Sequence, residues 1–247
     1  MKRWKAICAY DGTDWEGWQS QPSGKAIQDL IERRLKVIFG KQIRIHGSGR
    51  TDAGVHAKGQ VFHFDGLWEH TVEELLRAFR CGLPGSIQVS SVQEVDKDFH
   101  ARFSAKKKRY AYNLYMGYAT PLETRYTWSL KNWKPDVGLM REAAEILLGR
   151  HDFSAFAVST GVAENKQNPV KDLQRLDVSV KGAHIRVVTE ADGYLYKMVR
   201  SLVGALVDVG IERLTIKEIK ATLKSKKRTH RIRTAPAEGL CLEHVYY

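Results

Sequence analysis

The most informative stretch of the chain reads Gly47-Ser48-Gly49-Arg50-Thr51-Asp52-Ala53-Gly54-Val55-His56-Ala57. Strands are predicted on either side of it, over 42–46 and 60–65, and the stretch itself is too rich in glycine for regular structure. Glycines let a backbone approach a ligand closely, and here they surround an Arg and an Asp that stand two residues apart. An Asp in such a loop can equally be a turn former that bonds its own backbone. The local chemistry leaves both interpretations open.

Strands and helices alternate along the rest of the chain. The apolar residues of 26–39 recur at helical spacing, and Thr71 with Glu74 forms a capping box that opens a helix over 72–81. Further strands are predicted at 3–10, 87–95, 108–117, 173–180, 184–190 and 240–246, and further helices at 137–148, 194–209 and 215–224. These runs predict an α+β fold with largely antiparallel sheets and helices on one face. A boundary near residue 104 would divide the chain into two halves, 1–104 and 105–247, although they share no sequence repeat.

The charge of the chain points to a polyanionic partner. Forty Lys and Arg stand against 28 Asp and Glu, which gives 247 residues a net charge of +12. Nucleic acid or an anionic membrane are the usual partners of such a surplus, but solubility alone can also account for it. Two basic runs, 106–109 and 220–233, would neutralise phosphates without reading sequence, or would simply be solvated faces. The two runs together favour RNA or DNA.

Several common chemistries are absent from the sequence. The three cysteines lie far apart without a CxxC pair, and no HExxH or Walker pattern occurs, so neither a zinc site nor a nucleotide loop is predicted. A GxGxxG fingerprint would need glycine at position 52. Ser48, Asp52 and His56 are close in sequence, whereas a catalytic triad is usually assembled from distant segments. No apolar run approaches the roughly 20 residues of a membrane span, and we expect a cytoplasmic protein.

The stretch at 47–57 closely resembles the signature of the tRNA pseudouridine synthase A family. Other segments fit the same family in the same order along nearly the whole chain: Gly17-Trp18-Gln19 with Gln21-Pro22, Gly59-Gln60-Val61, Phe99-His100-Ala101-Arg102-Phe103-Ser104-Ala105, Lys108-Arg109-Tyr110-Ala111-Tyr112, His151-Asp152-Phe153, Tyr194-Leu195-Tyr196-Lys197-Met198-Val199-Arg200 and Ala235-Pro236-Ala237-Glu238-Gly239-Leu240. One segment departs from the family pattern. Residues 166–170 stand where a basic, Thr-containing run entering a strand is expected.

The resemblance implies a specific reaction and substrate. The family isomerises uridine to pseudouridine at tRNA positions 38, 39 and 40, in the anticodon stem and loop. It works as a homodimer without an organic cofactor. Its fold has two similar α+β halves whose sheets join across a central basic cleft, with helices on the outer face. We therefore expect a cytoplasmic tRNA-modifying isomerase that needs no metal and no membrane.

Four residues match functional positions of the family. Its catalytic Asp maps onto Asp52, the expected nucleophile, and Arg50 is expected to help displace the target base. Its second motif places a Tyr at Tyr110, which should stack on the target uracil. Its third motif places an Arg at Arg200, which should pair with Asp52.

The physical chemistry agrees with these roles. Breaking a glycosidic bond needs a nucleophile or base, and a carboxylate can act either at ribose C1′ or at uracil C6. The carboxylate must stay ionised in a dry pocket, which a nearby guanidinium favours. The target base must leave its stack, and an aromatic face and a cation would compensate for that loss. No atoms are gained or lost overall, so no redox or metal cofactor is required.

Two other functions compete with this one. The first is a non-catalytic RNA-binding protein on the same scaffold, and the intact Arg50-Thr51-Asp52 argues against it. The second is a carboxylate–metal nuclease, which would need clustered acidic residues that the sequence does not show.

Overall fold

The structure is a computed structural model that describes residues 1–159 and 168–247. It divides into two compact units. The first comprises Met1–Lys106 together with Cys241–Tyr247, and the second comprises Lys107–Leu240. The predicted division into domains 1–104 and 105–247, and the joining of two halves across a basic cleft, stay predictions.

The first unit is a sheet with two helices. Its strands and helices are β1 (Lys2–Tyr10), α1 (Ile27–Phe39), β2 (His46–Gly47), β3 (His56–Gly66), α2 (Val72–Arg80), β4 (Ile87–Val95) and β10 (Leu240–Tyr246). The order across the sheet is β4-β1-β3-β10, with β2 on β3. The β1–β3, β1–β4 and β2–β3 pairs are antiparallel, whereas β10 runs parallel to β3.

One face of this sheet forms the core of the first unit. Alternate residues of β1 are buried, as a strand with one covered face requires. The covering helices contribute aromatic contacts: Phe39 at the end of α1 packs edge-on against Phe64, and Phe79 of α2 against Phe62. Phe62, Phe64 and Phe79 are fully buried, and each such side chain contributes about 1.5–3 kcal/mol through the hydrophobic effect.

The second unit repeats the mixture of strands and helices. Its elements are β5 (Lys107–Tyr115), β6 (Trp128–Ser129), α3 (Val137–Leu147), β7 (Gly149–Asp152), a short 3-10 helix (Ser154–Phe156), β8 (Val170–Lys181), β9 (His184–Ala191), α4 (Met198–Gly210) and α5 (Ile216–Ser225). The strand order is β5-β9-β8-β7, antiparallel throughout, and β6 lies parallel to β5. The predicted α+β class with largely antiparallel sheets is therefore confirmed.

Two predicted elements differ from the structure. The strand expected over 42–46 is reduced to the two residues of β2, because side chains take the backbone hydrogen bonds that a ladder would use. Ile45 donates its N–H to Glu32 Oε1 (3.1 Å), and Gln28 Nε2 donates to the carbonyl of Ile45 (3.4 Å). The helix expected over 194–209 begins only at Met198, since Lys197 adopts a left-handed φ of 58°. Of the departing segment 166–170, residues 166 and 167 lie outside the described residues.

Candidate active site

The loop that carries Arg50 and Asp52 is anchored to the strand that follows it. Ser48 donates its backbone N–H to the carbonyl of Val61 (2.7 Å) and its hydroxyl to Oε1 of Gln60 (2.7 Å). The amide of Gln60 in turn donates to the carbonyl of Gly49 (2.9 Å). Ser48 and Gln60 are fully buried. Buried polar groups bonded in this way fix the start of the loop on β3.

A second segment clamps the middle of the loop through Thr51. The hydroxyls of Tyr10 and Thr51 lie 2.8 Å apart, and the backbone N–H of Trp18 donates to the Thr51 carbonyl (3.1 Å). Gly17 lies against the same peptide, with a φ of 84°, and a β carbon there would sit 2.5 Å from the Thr51 oxygen. Thr51 is thus held by both its side chain and its backbone, which fixes the direction of the residues on either side.

The two residues that flank Thr51 differ in exposure. Arg50 is exposed, whereas Asp52 is half-buried. The carbonyl of Asp52 accepts the N–H of Val55 (3.1 Å), and Gly54 takes a φ of 77°, so the chain turns directly after the carboxylate. Backbone atoms therefore make this turn. An exposed cation next to a half-buried carboxylate on a fixed backbone suits a site that receives a ligand.

Tyr110 lies in the second unit, in the middle of β5. It is 7% exposed and pairs with Thr189 of β9. The ring of Tyr194 meets it edge to face, with centroids 5.1 Å apart and planes at 85°. The Tyr194 hydroxyl lies 3.1 Å from that of Thr189 and donates to the Lys108 carbonyl (3.3 Å). The ring of Tyr110 is thus supported by a second aromatic ring whose own position is fixed.

Arg200 also lies in the second unit and is the only residue of α4 that is not buried. Its Nε donates to the carbonyl of Ala235 (2.7 Å), and the N–H of Ala235 donates to the carbonyl of Arg200 (3.0 Å). A cation on an otherwise buried helix needs such partners. The expected pairing of Arg200 with Asp52 stays a prediction.

The first basic run contains cations that already have a counterion. Lys107 and Arg109 both point to Glu190 of β9, at 2.6 and 2.7 Å, and Arg175 approaches the same carboxylate at 3.4 Å. Burial alone would raise the pKa of Glu190, but hydrogen bonds from Lys107 and Arg109 lower it to about 2. The run therefore offers fewer charges to phosphates than its sequence indicates.

In the second basic run, Arg228 is bonded within the protein, whereas several lysines are exposed. Arg228 donates to the hydroxyl of Ser201 (2.9 Å), the carbonyl of Ile232 (2.8 Å) and the hydroxyl of Thr234 (2.9 Å). Burial lowers the pKa of this guanidinium, and its hydrogen bonds join parts of the unit to one another. The cations that remain exposed on or just after α5 are Lys217, Lys220, Lys224, Lys226 and Lys227.

Within residues 1–159 and 168–247, no three His, Cys, Asp or Glu side chains are grouped in a way that could hold a metal ion. Within the same residues, no helix combines the length and apolar character needed to cross a membrane.

Sequence reasoning assigned no role to several residues that hold the candidate site. Gly17 and Trp18, Tyr194, and Ala235 all lie in motif segments, but a motif does not say which of its residues touch the functional ones. They share no residue type and no sequence spacing to the functional residues, so no common signal could have found them. Gly17 is intelligible only once its close approach to another backbone is seen.

Comparison with known proteins identifies the family. The sequence pattern of the family described as tRNA pseudouridine synthase matches residues 6–104 and 143–247. tRNA pseudouridine synthase A 1 of Protochlamydia amoebophila is 39% identical over 249 residues, which cover 100% of this chain and 97% of that protein. The tRNA pseudouridine synthases A of Lysinibacillus sphaericus and Acetivibrio thermocellus are 40% and 41% identical, with 100% of both chains covered in each case.

One chain of a solved Cbf5–Nop10–Gar1 complex aligns with this protein. The alignment covers 83% of this chain and 45% of the other, at 13% identity and a TM-score of 0.35, which is too low to support an inference. The sequence relationships need no such support. They extend over the full length of the chain at 39 to 41% identity, and the family pattern covers both units. The chain therefore belongs to the tRNA pseudouridine synthase family of isomerases.

Proposed function

We propose that this protein converts uridine to pseudouridine at positions 38, 39 and 40 in the anticodon stem and loop of tRNA, with Asp52 as the nucleophile. The observation that carries the proposal is the half-buried carboxylate of Asp52 on a loop whose backbone is fixed from two sides, in a chain of this family. Fixing a reactive group before the substrate arrives lowers the entropic part of the barrier.

The reaction rearranges bonds within one nucleotide. The C1′–N1 bond breaks and a C1′–C5 bond forms, while C5 loses a proton and N1 gains one. Asp52 attacks the nucleotide to form a transient covalent adduct, either at ribose C1′ or at uracil C6. Because the product is an isomer of the substrate, no electrons are supplied from outside, and the proposal includes neither an organic cofactor nor a metal.

Three further residues have proposed roles. Arg50 is exposed next to Asp52 and would occupy the space that the displaced base leaves in the stack. Tyr110, supported by Tyr194, would stack on the target uracil. Arg200, which is held by Ala235, would keep the Asp52 carboxylate ionised.

The partner of the protein would be tRNA, and its assembly a homodimer. tRNA would be bound mainly through its phosphates, which the net charge of +12 and the exposed lysines near α5 support. The protein would act as a homodimer in the cytoplasm.

The test is a conversion assay on tRNA labelled in uridine, with and without chelator, for the unaltered protein, Asp52→Asn and the exposed control Asp98→Asn. A short anticodon stem-loop serves as a second substrate, because the chelator would also remove the magnesium that full-length tRNA needs to fold. We expect pseudouridine at 38, 39 or 40 from the unaltered protein and the control, with or without chelator, and none from Asp52→Asn despite unchanged RNA binding. Binding without conversion would favour the RNA-binding alternative, and cleavage that needs a metal would favour the nuclease.

A further inference from the structure

Residues 235–239 run between α4 and β5 and contact both, and we call them the 235–239 segment. We infer that Tyr112 is a positioning residue that fixes the guanidinium of Arg200 by way of this segment. The inference rests on the proposed function, because Arg200 has its role only there. Tyr112 itself touches neither the substrate nor Asp52 in this account.

Ala235 provides the direct link to Arg200. Its carbonyl accepts the Arg200 Nε–H at 2.7 Å, while its N–H donates to the Arg200 carbonyl at 3.0 Å. The side chain and the backbone of Arg200 are thus bonded to the same residue. A displacement of Ala235 would therefore change where the guanidinium points.

Tyr112 fixes the next residue of the segment. Its side chain is 0% exposed, and its hydroxyl donates to the carbonyl of Pro236 at 2.8 Å. Pro236 follows Ala235 directly, so the bonded carbonyl is one peptide away from the one that holds Arg200. Burial raises the pKa of the Tyr112 hydroxyl well above its usual value, so the hydroxyl stays a donor throughout the working pH range.

Two glycines allow this close packing. A β carbon on Gly239 would lie 2.4 Å from Cε1 of Tyr112, so the segment presses directly on the tyrosine ring. A β carbon on Gly204 of α4 would lie 2.4 Å from the carbonyl oxygen of Arg233, so the chain that leads into the segment presses on the helix. The N–H of Asn113 also donates to the Gly239 carbonyl (2.9 Å), which attaches the far end of the segment to β5.

The charges around Tyr112 place its hydroxyl near Arg200 as well. Arg200 lowers and Glu238 raises the pKa of this hydroxyl, each through space. The hydroxyl is therefore within electrostatic reach of the guanidinium that the segment holds. Removing it would leave the part-buried Pro236 carbonyl without this donor and release the constraint on Ala235.

The experiment is a double-mutant cycle measured by single-turnover conversion. Tyr112→Phe removes only the hydroxyl, and it is made both in the unaltered protein and in Arg200→Lys. Tyr247→Phe is the matched control, because the Tyr247 hydroxyl also donates to a backbone carbonyl at 2.8 Å, that of Ala101 in the first unit. tRNA affinity is measured alongside.

We expect Tyr112→Phe to slow conversion about three- to tenfold, the size of one lost hydrogen bond, without changing tRNA affinity. In the Arg200→Lys background the same substitution should slow it less than about twofold, because residues that act as one unit are not additive. Tyr247→Phe should leave the rate unchanged in both backgrounds. Equal slowing by Tyr112→Phe in both backgrounds, or none in either, would overturn the inference. Absence of pseudouridine with the unaltered protein would instead overturn the proposed function.

Discussion

A β carbon on Gly17 would lie 2.5 Å from the carbonyl oxygen of Thr51, closer than β carbons come to other atoms in folded proteins. The Trp18 N–H donates to that same oxygen, so the backbone of 17–18 is pressed against the candidate catalytic loop. The loop carrying Asp52 is therefore shaped by a neighbouring backbone as well as by its own sequence.

Gly17→Ala should slow conversion on the order of a hundredfold, because the added methyl displaces the peptide next to Asp52. Gly24→Ala is the matched control: its φ of 68° is of the same kind as the 84° of Gly17, but no atom beyond its chain neighbours lies within 4 Å of the new carbon. Single-turnover rates of the two variants separate the collision from the backbone strain. Similar rates in both would show that the contact with Thr51 does not matter.

Arg200→Ala should lose most activity at low pH. Without a guanidinium nearby, a half-buried carboxylate takes up a proton more readily, and the protonated acid is not a nucleophile. Arg200→Lys keeps the charge but loses the planar fork and should be intermediate. The measurement is the pH–rate profile of single-turnover conversion for all three proteins. An acidic limb that stays in place in a folded Arg200→Ala variant would contradict the pairing with Asp52.

The salt dependence of tRNA binding should depend on exposed lysines and not on Arg228. Changing Lys220, Lys224 and Lys227 together to Gln should flatten the slope of log K against log salt by about 0.7 to 0.9 for each lost phosphate contact. The control changes the exposed Lys25, Lys36 and Lys41 of the first unit to Gln and alters the net charge equally. Equal slopes in the two triple variants would mean that the α5 surface faces away from RNA.

The first unit should lose stability as pH falls from about 6.5 to about 4. His63 is buried, and burial first, then the neighbouring imidazoles of His100 and His46, lower its pKa from 6.5 to about 4. Its Nδ1 accepts the N–H of Ala101 (3.1 Å), a bond that protonation of this nitrogen would abolish. Between these two values the unfolded chain binds the proton and the folded chain does not, so stability falls with pH by about 3 kcal/mol at most.

Unfolding in denaturant at pH 7 and pH 4.5 measures this loss. His63→Asn keeps an acceptor near the position of Nδ1 and cannot be protonated, so it should reduce the difference between the two pH values. His70→Asn, which removes an exposed imidazole from the same unit, should not. An unchanged difference in His63→Asn would assign the pH effect to other groups.

Local patterns were sufficient for the regular elements. The capping box predicted at Thr71 and Glu74 is present: the Thr71 hydroxyl accepts the Glu74 N–H (3.2 Å), and α2 starts at Val72. The α+β class and the family were also confirmed. These features depend on hydrophobic spacing and short-range chemistry, which a sequence displays directly.

Long-range partners could not be predicted. Ile43 and Ile45 alternate with polar residues and are buried, as in a strand, but the backbone hydrogen bonds of Ile45 go to side chains of α1. The sequence does not show which cations of the basic run at 106–109 can bind phosphates. Alternation along β5 places Lys107 and Arg109 on the same side, where both donate hydrogen bonds to Glu190, 81 or more residues away. Similarly, nothing in the spacing of Arg200 indicates that Ala235 holds it.

The strand order of the first unit has a consequence for how the chain is made. β10 pairs with β3, and residues 241–247 belong to the unit that begins at Met1. During translation, all of residues 107–240 leave the ribosome before the first unit receives its last strand. Closing a sheet over so long a stretch of chain is slow, because the ends must meet before their contact gives any stability. The first unit therefore waits with the start of β3, at His56 and Ala57, lacking its β10 partner, and this nascent state is the point at which chaperones or misassembly would act.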